Sequence, residues 1–185
     1  DDLILPFEDL VKERGITFVK QYRIQQPEFL FDRDNMQKVI GNLLSNAIKF
    51  TPDRGQITVI ASTYTDRTDQ KERLFVAIKD TGKGIPEEDL EKIFDRFYQA
   101  ENGLQISNMA PGTGIGLALT KSILETHKAE IHVESQPQVG SIFTVTLRKG
   151  STHFSDEQKV TQAAETDAYL QQANEIDDEF MQEVK

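Results

Sequence analysis

The chain contains no cysteine, which excludes disulfides and any metal site built on thiolate. That absence fits a reducing compartment. No apolar run approaches the roughly 20 residues that carry a helix across a bilayer, and no signal-peptide pattern is read at its start. Nor is there the clustered basic patch that a nucleic-acid surface needs. The formal net charge is −10, and it is placed unevenly. Up to Gly150 there are 22 acidic and 19 basic residues, a net of −3; from Ser151 onward there are 9 and 2, a net of −7. The acidity belongs mainly to a tail. A phosphate-bearing ligand stays compatible with it, because a few local donors suffice to hold one.

The 185 residues, 37% of them hydrophobic, provide for one ordinary domain with its own core and an appendage. We place the boundary at Gly150, giving a domain over 1–150 and an acidic tail over 151–185. No internal repeat is apparent. Pro6 opens a short helix through Phe7, Leu10 and Val11, and Gly15 stops it. Ile16 to Tyr22 reads as a strand, with Phe29-Leu30-Phe31 as a possible partner. Asp34 is the expected N-cap of the clearest helix, whose apolar residues Met36, Val39, Ile40, Leu43, Leu44, Ala47 and Ile48 alternate by three and four. Ile57–Tyr64 and Leu74–Lys79 form a hairpin with a long polar loop. Glu87 to Phe97 reads as a short helix, Ala100 to Thr113 as a mobile loop, and Ile115 to Thr126 as a second strong helix. Glu130–Ser135 and Ser141–Leu147 close the domain as a hairpin. In the tail, Tyr169, Ala173, Ile176, Phe180 and Val184 fall at helical spacing, although a solvated, partly helical tail accounts for them equally well.

Four segments carry chemistry. Asn42, Asn46 and Lys49 share one stripe of the long helix, apart from its apolar face. Amide oxygens are hard ligands suited to Mg²⁺, and a lysine beside them can meet phosphate; alone, the stripe reads more readily as a solvated face. Asp80-Thr81-Gly82-Lys83-Gly84-Ile85-Pro86 follows a strand. Its acid can accept from an exocyclic amine, and its glycines let a flat ring approach the backbone, though such a run is often a plain turn. Ile93-Phe94-Asp95-Arg96-Phe97-Tyr98 looks like core aromatics, with Phe94 or Phe97 buried, around an arginine fit to clamp phosphate. Gly112-Thr113-Gly114-Ile115-Gly116-Leu117 leads into a helix whose N-terminus favours an anion. It is neither a Walker A loop nor a dinucleotide fingerprint.

Taken in order, NLLSNAIKFTP, DTGKGIP, IFDRFYQ and GTGIGLAL resemble the N, G1, F and G2 boxes of sensor histidine kinase catalytic domains, in the family's order and at its distances. The flanks PFEDLVKERGI and HVESQPQVGSIFTVTL match too, so the resemblance covers about Leu5 to Leu147. It implies a two-layer α/β sandwich, the Bergerat fold, with a mixed sheet packed on three helices and a flexible lid over ATP. It implies Mg²⁺ on Asn46 with Asn42 beside it, phosphate on Lys49, and a γ-phosphate contact from Arg96. Phe50 would pack near the base, and Ile85 and Phe97 would be further nucleotide-binding residues. Asp80 would hold the adenine amine in a pocket shaped by Gly82 and Gly84. Gly112, Thr113, Gly114, Ile115, Gly116 and Leu117 would face the phosphates at the hinge of the lid, and Thr144 would add a contact on the adenine side.

The implied reaction is transfer of the γ-phosphoryl group of ATP to a histidine, with Mg²⁺ as cofactor. His127, His132 and His153 do not sit in the family's phosphoacceptor helix, so the chain is expected to bind Mg-ATP without phosphorylating itself. The implied partners are a histidine-bearing dimerisation domain of the same parent chain and a response regulator's receiver domain, with no nucleic acid and no direct membrane contact. The parent is expected to be a homodimeric, membrane-anchored sensor with this domain in the cytoplasm. Two alternatives are an ATP hydrolase of the same superfamily and a nucleotide-binding scaffold. The hydrolases place a glutamate four residues before the metal asparagine; Asn42 stands there, and an amide cannot act as a base. His127-Lys128-Ala129 departs from the family's His-Gly-Gly and removes the residue suited to a left-handed helix cap.

Overall fold

Residues 5–24, 32–99 and 113–149 are described by the computed structural model. Helix α1 (Leu5–Glu13) ends at Gly15, whose φ of +63° is a conformation that disfavours an L side chain. The turn directs the chain into strand β1 (Thr17–Arg23). Helix α2 (Arg33–Phe50) buries Val39, Ile40, Leu43, Leu44, Ala47 and Ile48. Strands β2 (Gln56–Thr65) and β3 (Glu72–Asp80) follow. Two 3₁₀ turns, Glu87–Asp89 and Lys92–Phe94, come next. Helix α3 (Gly116–Thr126) then leads to strands β4 (Glu130–Gln136) and β5 (Gly140–Arg148).

The strands form one mixed sheet in the order β1-β2-β3-β5-β4. β1 runs parallel to β2, and the other pairs are antiparallel. A parallel pair needs a crossover, and α2 supplies it. Side chains alternate between faces, so the register sorts them. Ile57, Val59, Ile78, Phe143 and Val145 fall on one face and join the buried cluster with Leu43, Leu44, Ile48 and Leu124 from the helices. Thr58, Ile60, Lys79 and Thr144 fall on the other. The expected α/β sandwich is the architecture found: one sheet face covered by helices.

The C-terminus of α2 is tied down by a residue that sequence patterning did not single out. Arg14 donates from its guanidinium to the carbonyl oxygens of Ile48 and Thr51, the latter at 2.7 Å, and to Asp53 at 2.9 Å. The last carbonyls of a helix lack intrahelical partners and carry partial negative charge. Arg14, only 10% exposed at its side chain, meets both needs.

Several local expectations change. Asp32, not Asp34, caps α2: its carboxylate accepts from the Asn35 N–H at 2.9 Å, and Asp34 lies in the first turn. The stretch 87–97 is not a helix but the two 3₁₀ turns, with Phe97 at φ +63° and 68% exposed. Of the two aromatics considered for burial, Phe94 is the one packed against the core. The hairpin loop is ordered by charge, since Arg73 is buried and pairs with Asp69 at 2.7 Å and Asp66 at 3.7 Å. The cap after α3 keeps its shape without glycine. Lys128 takes φ +49°, Ala129 donates to Leu124 O at 2.8 Å and Lys128 to Glu125 O at 3.0 Å; these are the two bonds of a Schellman motif. His127 is buried and its Nδ1 lies 2.7 Å from Ile123 O, while His132 is exposed. The Phe29–Phe31 strand, the lid over 100–112 and the tail lie outside the described residues, as do Gly112 and His153.

Candidate functional site

Asp80, Gly140, Gln136, Gln56 and Phe50 are brought to one end of the sheet, because β3 and β4 finish there, β2 and β5 begin there, and α2 ends beside them. Asp80 ends β3 on the helix-covered face, opposite Ile57 of β2 and Ser141 of β5. It is 5% exposed, and burial pushes its carboxyl above the usual aspartate range, partly offset by backbone donors. Those donors are Gly82 N–H at 2.8 Å and Ser141 N–H at 3.3 Å, both to Oδ1. One oxygen is thus fixed, and the other keeps its acceptor capacity for a ligand donor.

The turn after Asp80 is shaped by close approach. A Cβ on Gly82 would lie 2.5 Å from Phe50 O and 2.7 Å from Asp80 Oδ1. At Gly84 it would lie 2.0 Å from Gln136 O, and φ is +68°. Only hydrogen fits at either place. Gly140, at φ +134°, is equally closed, with a Cβ falling 2.0 Å from Asp80 O. Ile85 N–H donates to Ser135 Oγ at 2.8 Å, Ser135 Oγ donates to Gly140 O at 3.0 Å, and Ser141 Oγ lies 3.0 Å from it. This serine pair stitches the turn to the β4–β5 hairpin.

Ser141 also corrects the placement of Thr144. Thr144 pairs with Ala77 and His132. It lies three residues from Ser141, an odd step that puts it on the face away from Asp80. Thr144 therefore does not join the site, and Ser141 stands where it was expected. The signal was available in principle: the glycine that opens β5 fixes which strand residue meets Asp80.

On α2, Asn42 donates from Nδ2 to Gly116 O at 3.2 Å and to Thr120 Oγ1 at 3.5 Å, so it joins α2 to the start of α3 and keeps its amide oxygen as an acceptor. Asn46 lies one turn on and is half-buried. Among the described residues no group of three or more His, Asp or Glu side chains is gathered for a metal. Neutral amide oxygens beside a phosphate site still suit Mg²⁺, which takes few protein ligands and completes its octahedron with water and substrate phosphate. Lys49 is half-buried; burial, then the nearby charge of Lys83, holds its ammonium below the usual lysine range. Phe50 ends the helix and lies under both ammonium groups, at 5.5 Å from Lys49 Nζ and 4.7 Å from Lys83 Nζ.

Helix α3 begins without a side-chain cap and without an acid in its first turn, so its N–H groups and positive partial charge are available to an anion. Gly114, at φ +72°, packs on Phe97, whose N–H donates to Gly114 O at 3.1 Å. Ile115 is buried, its N–H 3.4 Å from Thr113 Oγ1, and Leu117 packs on the core. Arg96 is exposed. The turn thus joins the aromatic segment to the helix start.

The model of the histidine kinase-, DNA gyrase B- and HSP90-like ATPase family matches residues 31–151. The adaptive-response sensory kinase SasA of Rippkaea orientalis is 39% identical over 146 residues, covering 79% of this chain and 35% of that protein. The sensor histidine kinase WalK of Bacillus subtilis is 32% identical over 145 residues, covering 78% of this chain and 23% of that protein. The chain therefore spans about a quarter to a third of the length of these relatives. Among solved structures, the nucleotide-free catalytic domain of histidine kinase ThkA has a TM-score of 0.63 at 26% identity, over 80% of this chain and 90% of that one.

Proposed function

Since this chain belongs to the histidine kinase-, DNA gyrase B- and HSP90-like ATPase family, we propose that it binds Mg-ATP and donates the γ-phosphoryl group to a histidine on a dimerisation domain. The histidine, in this reading, belongs to the same parent chain, and a response regulator's receiver domain accepts the phosphoryl group from it. The observation that carries the nucleotide reading is Asp80, a buried carboxylate at the end of the central strand with one oxygen fixed by backbone donors, beside glycines that no side chain can replace.

In this reading Asp80 accepts the adenine amine and Gly82 and Gly84 admit the ring beside Phe50 and Ile85. Lys49 and the uncapped start of α3, through Gly114, Ile115 and Gly116, hold the phosphates. Asn46 and Asn42 would hold Mg²⁺, which when bound neutralises charge on the phosphates. Arg96 would approach the γ-phosphate, with Thr113, Leu117 and Phe97 forming the hinge. The chain's own residues bind and orient; the nucleophile comes from another domain. Asn42, engaged as a donor to Gly116 O and Thr120 Oγ1, has no proton-accepting group for water activation, which favours transfer to protein over hydrolysis.

No helix among the described residues is long and apolar enough to cross a membrane; the membrane anchor, the cytoplasmic setting and the homodimeric state belong to the proposed parent. We assign 1–150 to the catalytic domain and 151–185 to the tail. The test is to mix the chain with γ-labelled ATP, Mg²⁺ and a separate dimerisation domain bearing its histidine. Acid-labile label on that domain, absent from the chain alone, is expected. Binding of ATP with no transfer to any such domain would leave only a nucleotide-binding scaffold.

A further inference from the structure

Lys83 is the charged residue of the Asp80 turn that the proposed function leaves unused, and its place is well defined. Its backbone is held from both sides: its N–H lies 3.4 Å from Phe50 O and its carbonyl accepts from Gln138 N–H at 2.7 Å. The flanking Gly82 and Gly84 are packed too closely to shift. This fixed backbone delivers the Lys83 ammonium to the Phe50 ring, 4.7 Å from its centroid, where Lys49 Nζ also lies at 5.5 Å.

Two ammonium groups over one aromatic ring repel each other, and the repulsion is felt at Lys49. Among the described residues no carboxylate pairs with either ammonium. The ring quadrupole attracts each cation weakly but does not neutralise them. A ligand bearing several negative charges does, and a nucleotide's phosphate chain brings that charge to this place. We propose that Lys83 is a second phosphate-binding cation of this site, acting with Lys49 so that affinity rises with the number of phosphates on the nucleotide. The inference rests on the nucleotide reading above and adds a specificity residue to it.

The experiment compares adenosine, ADP and ATP binding to the wild-type chain, Lys83→Met and Lys83→Arg by calorimetry, with Mg²⁺ present. Lys83→Met is expected to weaken ATP about tenfold, the equivalent of one charge-assisted contact, and to leave adenosine unchanged. Lys83→Arg keeps the charge and is expected to restore most of the ATP affinity. The pH profile provides a readout that a merely structural role would not move. ATP binding favours protonated Lys49, so affinity falls as pH rises through that group's titration; without Lys83 nearby the fall moves to higher pH. Equal losses for adenosine and ATP, or no loss for either, would overturn the proposal while leaving the nucleotide reading intact. A wild-type chain that binds ATP no better than buffer would remove the nucleotide reading itself, and this inference with it.

Discussion

Replacing Asp80 with asparagine separates stability from function at a single atom. The side chain keeps its shape, and Oδ1 still accepts from the Gly82 and Ser141 N–H groups at 2.8 and 3.3 Å. The other oxygen becomes an NH₂ group, which would present a donor to the adenine amine of the proposed nucleotide, itself a donor. The loss is one hydrogen bond to a charged acceptor, worth about 1.5–3 kcal/mol, so ATP affinity should fall roughly 10- to 150-fold. Stability should move the other way. Burial raises the Asp80 carboxyl above its unfolded value. The contribution is therefore full at pH below the unfolded value and is lost as pH rises through the raised one. At neutral pH the nucleotide-free protein carries that cost, and Asp80→Asn removes it. Thermal melts without nucleotide should show the variant at least as stable as wild type at pH 7, with the advantage vanishing in acid. A variant that melts well below wild type at pH 7 while binding ATP normally would refute the argument, because Asp80 would then be a structural hydrogen-bond hub and not a ligand acceptor.

Other substitutions test the frame that holds the site. Lys128→Gly relieves a left-handed residue in the cap after α3 and should stabilise the chain by about 1 kcal/mol in urea titrations, with nucleotide binding unchanged. Arg14→Ala removes the donors to Ile48 O and Thr51 O and should lower stability by about 1.5–3 kcal/mol, the range for hydrogen bonds to a charged group, read as a lower melting temperature. Gly84→Ala drives a methyl against Gln136 O from a left-handed backbone. It should destabilise by about 1–3 kcal/mol and abolish tight nucleotide binding, seen as loss of the ATP-induced rise in melting temperature.

The order of the elements and the resemblance of the four motifs to the family could be read from the residues alone. Helix α2 was legible because its apolar residues repeat at three and four, a period set by the backbone alone. The DTGKGIP run, often a plain turn by itself, was legible only through its place in the order of the four segments. Other features rest on neighbours distant in sequence and became visible only in the folded chain. Ser141, and not Thr144, meets Asp80 because strand register, fixed by pairing β3 with β5 across 61 residues, chooses which face each side chain takes. Arg14 caps a helix whose end lies 34 and 37 residues along the chain, beyond any local pattern. Lys128 is a local exception: it holds a turn that glycine usually holds, with its own N–H and that of Ala129 donating back to Glu125 O and Leu124 O at the end of α3.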